Sequence, residues 1–356
     1  MNRKKIGIIT THHYPNYGNK LQNYALPTTL QRLGFRVETI DDTRTWKSMN
    51  SWIANWKVLL HVVTRFRCIP YHIRVFKFIK FSKKYINYSY SVIKKDGDIH
   101  KLRNHYDYFV VGSDQIWNPE WPIFSNAFGF AAFADKKQKV AYAPSFGISE
   151  MLPERIDEYK QWLSNWKALS CREHEGAKII EKLSGVRAKI VLDPTLLLTS
   201  NEWKLLASQP ILKNRYAVLY SLRKIENELM DSIKRDTEQK GLSLFVLGAY
   251  DLKNSYGPSE FLSLLMNSDC IYTDSFHGCV FSLLFHRTLN VLHINEEGNV
   301  KDKISRILTL FENAGIAHNN FPYTLNPIHN IDWGMVDINL ATKREESIEY
   351  LISNLD

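Results

Sequence analysis

The chain has 356 residues, 44% apolar and 23% charged, which is enough for packed cores in about two domains and excludes a disordered or fibrous chain. Its four cysteines, Cys68, Cys171, Cys270 and Cys279, are too few for a disulfide scaffold. They include no C-x-x-C, which argues against structural zinc and for a reduced, cytosolic protein. The formal net charge is +9, yet residues 44–104 alone hold 14 Lys/Arg against two acids, Asp96 and Asp98. The rest of the chain, with 32 basic and 35 acidic residues, is slightly acidic.

Residues 1–5 are basic and precede an apolar run, as in a secretory leader. That run, 6–9, is shorter than the roughly 7–15 residues such a leader needs, and His12, His13 and Asn16 end it. No stretch approaches about 18 uninterrupted apolar residues, so a soluble cytoplasmic protein without a spanning helix is expected. Residues 5–10 read instead as a buried parallel strand. A loop with Pro15, Asn16 and Gly18 leads into a helix over 19–33, stopped by Gly34, and a second strand over 36–40 completes a βαβ opening.

The basic segment follows, as two helices broken near Pro70. It interleaves its cations with Trp46, Trp52, Trp56, Phe66, Phe76, Phe78, Phe81 and Tyr85. That pattern suits a helix lying on anionic lipid, or a solvated face whose aromatics pack into the core. No nucleic-acid motif accompanies it, so nucleic acid is not an expected partner.

Strands are expected at 108–111, 140–143, 168–171 and 189–192, with helices at 153–166 and 176–183. The alternation restarts with strands at 216–221, 242–247, 270–273 and 289–293, and helices at 227–239, 259–266, 278–285 and 301–314. Two runs of βα units imply an α/β protein of two doubly wound, Rossmann-like domains facing across a cleft. The first spans 1–200 and carries the basic insertion; the second spans 210–330; a polar hinge with Pro210 lies at 199–214; a helical tail occupies 331–356.

In open parallel sheets ligands bind beyond the carboxyl ends of the strands. Here those loops contain Asn16-Tyr17-Gly18-Asn19, then Ser113, Asp114, Gln115 and Trp117, then Ser145 and Gly147, then Arg172-Glu173, then Asp193-Pro194-Thr195, and Asp274-Ser275-Phe276-His277-Gly278. Gly18 permits a tight turn at a helix start whose free N–H groups suit an anion, or the loop is an ordinary turn capped by Asn19. It is not a G-x-G-x-x-G, so a nicotinamide cofactor gains no support. Arg172 can grip a phosphate or carboxylate bidentately, or pair with Glu173 or Glu175. His277 falls in the first turn of a helix, where the dipole favours an anion. Asp114 reads equally as a general base or an N-cap. His12 and His13 have no matching carboxylate pattern, so no metal is assigned.

Six motifs in this order resemble the polysaccharide pyruvyl transferase family. They are Asn16-Tyr17-Gly18-Asn19-Lys20-Leu21-Gln22-Asn23-Tyr24-Ala25-Leu26, Val111-Gly112-Ser113-Asp114-Gln115-Ile116-Trp117-Asn118, Tyr142-Ala143-Pro144-Ser145-Phe146-Gly147, Ser170-Cys171-Arg172-Glu173, Leu192-Asp193-Pro194-Thr195 and Thr273-Asp274-Ser275-Phe276-His277-Gly278. Some members have Arg-Leu-His-Gly where this chain has Ser275-Phe276-His277-Gly278. Arg172, Arg223, Lys20 or Arg306 must then replace that arginine, or the substrate grip differs.

The resemblance implies a fold like that of GT-B glycosyltransferases, with phosphoenolpyruvate as co-substrate and no other cofactor. It implies a lipid-linked saccharide acceptor at the cytoplasmic membrane face, which would give the basic segment a purpose. The product would be a pyruvate ketal across two hydroxyls of one sugar, with release of phosphate. In that setting Arg172, His277 and Asp114 are the candidate catalytic residues. Asn16, Gly18, Asn19, Gln22, Ser113, Gln115, Trp117, Ser145, Gly147, Ser275, Phe276 and Gly278 are the candidate substrate-binding residues.

Two other readings compete. A nucleotide-sugar glycosyltransferase would need a carboxylate for the ribose hydroxyls, and Glu260 is a candidate. A non-catalytic membrane-surface binding protein would tolerate changes at Arg172 and His277.

Overall fold

The computed structural model describes residues 3–12, 15–42, 69–89, 93, 98–248, 253–293, 300–317 and 324–356. Trp46, Trp52, Trp56 and Phe66, and the expected helix before Pro70, lie outside the described residues.

The first unit is built on β1 (Lys5–Ile9), β2 (Arg36–Thr39), β3 (Tyr108–Val111) and β4 (Lys139–Ala141), parallel and ordered β2-β1-β3-β4. A bridge from Val140 to Ala168 continues this sheet onto the parallel pair β5 (Ser170–Cys171) and β6 (Lys189–Ile190). β1 is an apolar run because it is central: Ile6, Ile8 and Ile9 are buried on both faces of the sheet. The helix α1 (Tyr17–Arg32) follows it, and the Asn16 side chain caps it by accepting from Asn19 N at 3.1 Å.

The second unit holds β7 (Tyr216–Tyr220), β8 (Ser243–Val246), β9 (Cys270–Thr273), β10 (Thr288–Leu292) and β11 (Leu325–Pro327), ordered β11-β10-β9-β7-β8. All pairs are parallel except β10–β11. The strand order reverses at β1 in the first sheet and at β7 in the second, so each unit has a topological switch point. The chain is thus an α/β protein of two Rossmann-like units in a GT-B-like arrangement.

The polar stretch 199–214 is not a bare hinge. It begins with a short helix, α6 (Ser200–Lys204), set by a capping box in which Thr199 and Glu202 satisfy each other's backbone N–H groups. Its Trp203 is fully buried and donates from the indole to Thr195 O at 3.0 Å. The intervening helices are α2 (Ile69–Tyr85), α3 (Ile99–Leu102), α4 (Ile156–Leu163) and α5 (His174–Ser184). After α6 come α7 (Asn227–Gln239), α8 (Pro258–Met266), α9 (Phe276–Leu284), α10 (Val300–Ala314) and α11 (Trp333–Leu355).

The helix α1 and the tail helix α11 (Trp333–Leu355) are among the elements that join the units. Tyr17, Leu21 and Ala25 of α1 share one apolar cluster with Tyr220, Phe261 and Phe281 of the second unit. Tyr17 stacks on Phe261 at 4.3 Å and donates its hydroxyl to Tyr256 O at 2.8 Å. Burying such a ring contributes about 1.5–3 kcal/mol, and the stacked pair about 0.5–1.5 kcal/mol more. The tail helix α11 places Val336 and Leu340 in that cluster, while Tyr350, Leu351 and Leu355 pack on Ile6, Ile8 and Val140 of the first sheet. It starts at Trp333, where Asp332 caps it by accepting from Met335 N.

The described part of the basic segment divides its residues between two jobs. Phe78, Phe81 and Arg74 of α2 are buried, and Lys77 pairs with Glu260. Ile73, Phe76, Lys80, Lys83 and Lys84 are exposed. Among the described residues no helix is long and apolar enough to cross a membrane.

Candidate active site

The strand-end loops of both units converge on Arg172, which follows β5 and is buried. Its Nη1 donates to Asp193 Oδ2 at 2.8 Å and its Nη2 to Asp114 Oδ1 at 3.2 Å, while its Nε lies 3.5 Å from Glu173 Oε2. Burial works against the guanidinium's charge. The carboxylates of Asp114, Asp193 and Glu173 outweigh it and hold Arg172 above its ordinary pKa. The Phe276 ring, from the other unit, lies under the guanidinium at 4.4 Å.

Asp193 is the hub. Oδ1 accepts from Thr195 N at 3.0 Å and Thr195 Oγ1 at 2.7 Å, and Oδ2 accepts from Ser113 Oγ at 3.0 Å as well as from Arg172. His277 Nε2 is 3.7 Å from Asp193 Oδ1. Burial pushes this carboxyl up, but His277, Arg172 and the Thr195 N–H prevail and hold it well below the usual carboxylate range. Glu173 contrasts: burial raises its pKa, opposed by Arg172, Arg306, Ser145 and the Phe146 N–H.

His277 sits in the first turn of α9, whose N-cap is Ser275; the Ser275 hydroxyl accepts from Gly278 N at 3.4 Å. The imidazole lies directly on Gly18 at the start of α1. A Cβ there would fall 2.1 Å from His277 Nδ1, so glycine is needed for close approach. Gly112 is needed for the same reason at the end of β3: its φ is +132°, and a Cβ would meet Tyr142 O at 1.9 Å.

The remaining expected residues fall into groups. Asn19 and Gln22 brace the loop after β1, Asn19 donating to Thr11 Oγ1 at 2.5 Å and Gln22 to Thr10 Oγ1 at 2.8 Å. Gln22 Oε1 also accepts from Ser113 N at 3.2 Å, which ties this loop to the Asp114 turn. Ser145 N donates to Asp114 O at 2.8 Å and Ser145 Oγ accepts from Gly147 N at 3.2 Å. Gln115 lies beside Gly147 and Arg306. Asn16 stands at the helix cap, and Gly278 packs on Thr273. Trp117 does not face the cluster: it is fully buried, stacks on Phe130 at 4.7 Å and donates to Gly129 O.

Asp193 is the residue to which sequence reasoning gave no role. Its signals were an Asp-Pro-Thr turn at a strand end and its place in one of the six motifs. Of the other cations weighed, Arg223 lies 4.0 Å from Asp274, and the Lys20 ammonium is buried on the His12 carbonyl. Glu260, the candidate ribose carboxylate, accepts from Gly257 N at 3.1 Å and pairs with Lys77. Among the described residues, no group of three or more His, Cys, Asp or Glu side chains is placed to hold a metal ion.

A buried Arg–carboxylate–His cluster thus lies where the strand ends of two doubly wound units meet. The sequence model of the polysaccharide pyruvyl transferase family matches residues 16–288, and the chain belongs to that family. No curated protein sequence gives a significant match.

Among solved structures, the chain is similar to Methanocaldococcus jannaschii UDP-GlcNAc 2-epimerase in complex with UDP-GlcNAc and UDP. The identity is 13% and the TM-score 0.48, over 95% of this chain and 99% of that one. A putative UDP-N-acetylglucosamine 2-epimerase from Listeria monocytogenes gives 11% and 0.49, over 97% of each chain. A wall teichoic acid polymerase gives 11% and 0.45, over 99% of this chain and 82% of that one. At these values the likenesses carry no argument about activity.

Proposed function

We propose that this chain transfers the pyruvyl group of phosphoenolpyruvate to two hydroxyls of one sugar in a surface-polysaccharide precursor, forming a ketal and releasing phosphate. The observation that carries the reading, within the family, is the convergence of Arg172, Asp114, Asp193 and His277 from four strand-end loops of two units. The employment of Glu260 in capping α8 and pairing with Lys77 weighs against a nucleotide-sugar donor.

The chemistry assigns the roles. Protonating the methylene carbon of phosphoenolpyruvate makes carbon 2 electrophilic, and its oxygen stabilises the cation. One sugar hydroxyl attacks carbon 2 and loses its proton to a base. The carbon–oxygen bond to phosphate then breaks, and a second hydroxyl attacks carbon 2 to close the ketal, its proton passing to the released phosphate. Arg172 binds the donor's anionic groups; His277, near Asp193 and seated on Gly18, donates to the phosphate or supplies the proton. Asp114 is the base. The donor competes for Arg172 Nη2, which frees the Asp114 carboxylate for the hydroxyl proton. Asn19 and Gln22 hold the acceptor side of the cleft in place.

The acceptor is lipid-linked in this proposal, and the exposed face of α2, with Ile73, Phe76, Lys80, Lys83 and Lys84, supports docking on an anionic membrane. Release of inorganic phosphate from phosphoenolpyruvate, measured with a panel of lipid-linked saccharides, tests the reaction. His277→Ala should lower turnover about 10²-fold or more; a loss within about threefold would exclude a proton-transfer role.

A further inference from the structure

One buried cation of the cluster has no role in the mechanism above. Arg306, on α10 of the second unit, is 8% exposed. No ion pair among the described residues includes it, whereas Arg172 in the same cluster has three. The Gln115 carboxamide, with its oxygen turned to the guanidinium, lies 2.5 and 3.1 Å from the two Arg306 Nη atoms. Arg306 Nε is buried with no hydrogen-bond partner, and so are Arg172 Nε, Glu173 Oε2 and His277 Nε2. Burial, with repulsion from Arg172 and Arg223, outweighs the attraction of Glu173 and Asp114 and pushes the Arg306 pKa down to about 10. A buried guanidinium whose Nη atoms meet a neutral amide, with no carboxylate in ion-pair contact among the described residues, keeps hydrogen-bonding capacity for an anion.

Resting on the pyruvyl-transfer reading, we propose that Arg306 binds the phosphate group of the donor, so that Arg172 of the first unit and Arg306 of the second grip one phosphate from two sides. Gln115 is the positioning residue that aims Arg306. A phosphate dianion has oxygens enough for both planar forks, and it gives Arg306 the direct ionic partner that Glu173 and Asp114, acting from beyond ion-pair distance, do not. The arginine absent before Phe276 is thereby replaced from a helix about thirty residues further along the chain.

The test is calorimetric titration of inorganic phosphate, and separately of phosphoenolpyruvate, into the full chain and its Arg306→Gln and Arg306→Lys variants. Arg306→Gln should weaken phosphate binding at least about tenfold, and Arg306→Lys, which keeps the charge but loses the fork, should fall between. The proposal fails if the unmodified chain does not bind phosphate, or if Arg306→Gln binds it within about twofold. Phosphate binding that depends on Arg306, without phosphoenolpyruvate binding, would uphold the clamp and sink the pyruvyl reading. Phosphoenolpyruvate binding indifferent to Arg306 would do the reverse. Should Arg306→Gln not fold, Gln115→Ala is read in its place: weaker phosphate binding in a folded chain supports the clamp, and unchanged affinity overturns it.

Discussion

Gly18→Ala separates stability from function at one atom. Within a helix the change gains up to about 1 kcal/mol of intrinsic propensity, so nothing local predicts a weaker fold. The new methyl would sit 2.1 Å from His277 Nδ1, against 3.4 Å or more for an ordinary contact, so the imidazole or the whole of α9 must retreat by about 1.3 Å. The ring has little room, since Asp193 lies 3.7 Å from its Nε2 and the side chain is buried. Misplacing a reacting group by about 1 Å costs on the order of 10²-fold in rate. Turnover of phosphoenolpyruvate with a saccharide acceptor should therefore drop about 10²-fold, while the melting temperature changes by only a few degrees. Turnover within about threefold of the unmodified chain would refute the placement of His277 against Gly18 as part of the catalytic geometry.

Lys20 supplies a pH signature. Burial holds its ammonium at a pKa of about 7 against the ordinary 10.5, so folding expels a proton between those values and the wild type loses stability as pH falls across that window. In urea unfolding, the stability difference between Lys20→Met and wild type should move in the variant's favour by about 2–3 kcal/mol from pH 9 to pH 6; a constant difference contradicts this. Asp193, held below its ordinary 3.8, contributes stability that is full above that pH and is lost below it. The deficit of Asp193→Asn should be constant from pH 7 to about 5 and shrink below about 4, and a deficit independent of pH down to 2 would remove the carboxylate as the cause. Phe76→Ser with Lys80→Glu and Lys83→Glu should weaken cosedimentation with anionic vesicles more than about tenfold, at roughly 1 kcal/mol per charge; unchanged binding would exclude α2 as the docking face.

The alternation of strands and helices was legible because buried parallel strands are short apolar runs between amphipathic helices: residues 227–239 and 270–273 are a helix and a strand at their expected limits. What escaped has identifiable causes. The helix at Ser200–Lys204 is too short for a period to show and is fixed by its capping box and one buried Trp. The strand Leu325–Pro327 has three residues, a proline among them, and exists only by pairing at the sheet edge. Basic and aromatic residues of α2 looked alike in sequence, yet Phe78 and Phe81 face the core while Phe76 faces solvent. At the site, the strand-end rule picked out the loops, but not which side chains in them turn inward. Trp117 shares a motif with Asp114 and points into the core. Asp193 caps its turn through Thr195 while also receiving Arg172, a contact between two separate loops that no local pattern carries. No local pattern could place Gly18 on His277 or Arg306 beside Gln115, because those contacts arise only when the two units meet.

The most direct test of the central claim is a thermal-shift titration of the chain with phosphoenolpyruvate and, in parallel, a panel of nucleotide sugars. A ligand at 100 times its dissociation constant stabilises the fold by about 2.7 kcal/mol, a shift of several degrees. Stabilisation by phosphoenolpyruvate alone, reduced in Arg172→Lys because the fork to Asp114 and Asp193 is lost, is the predicted result. Stabilisation by a nucleotide sugar alone, unaffected by Arg172→Lys, would contradict it.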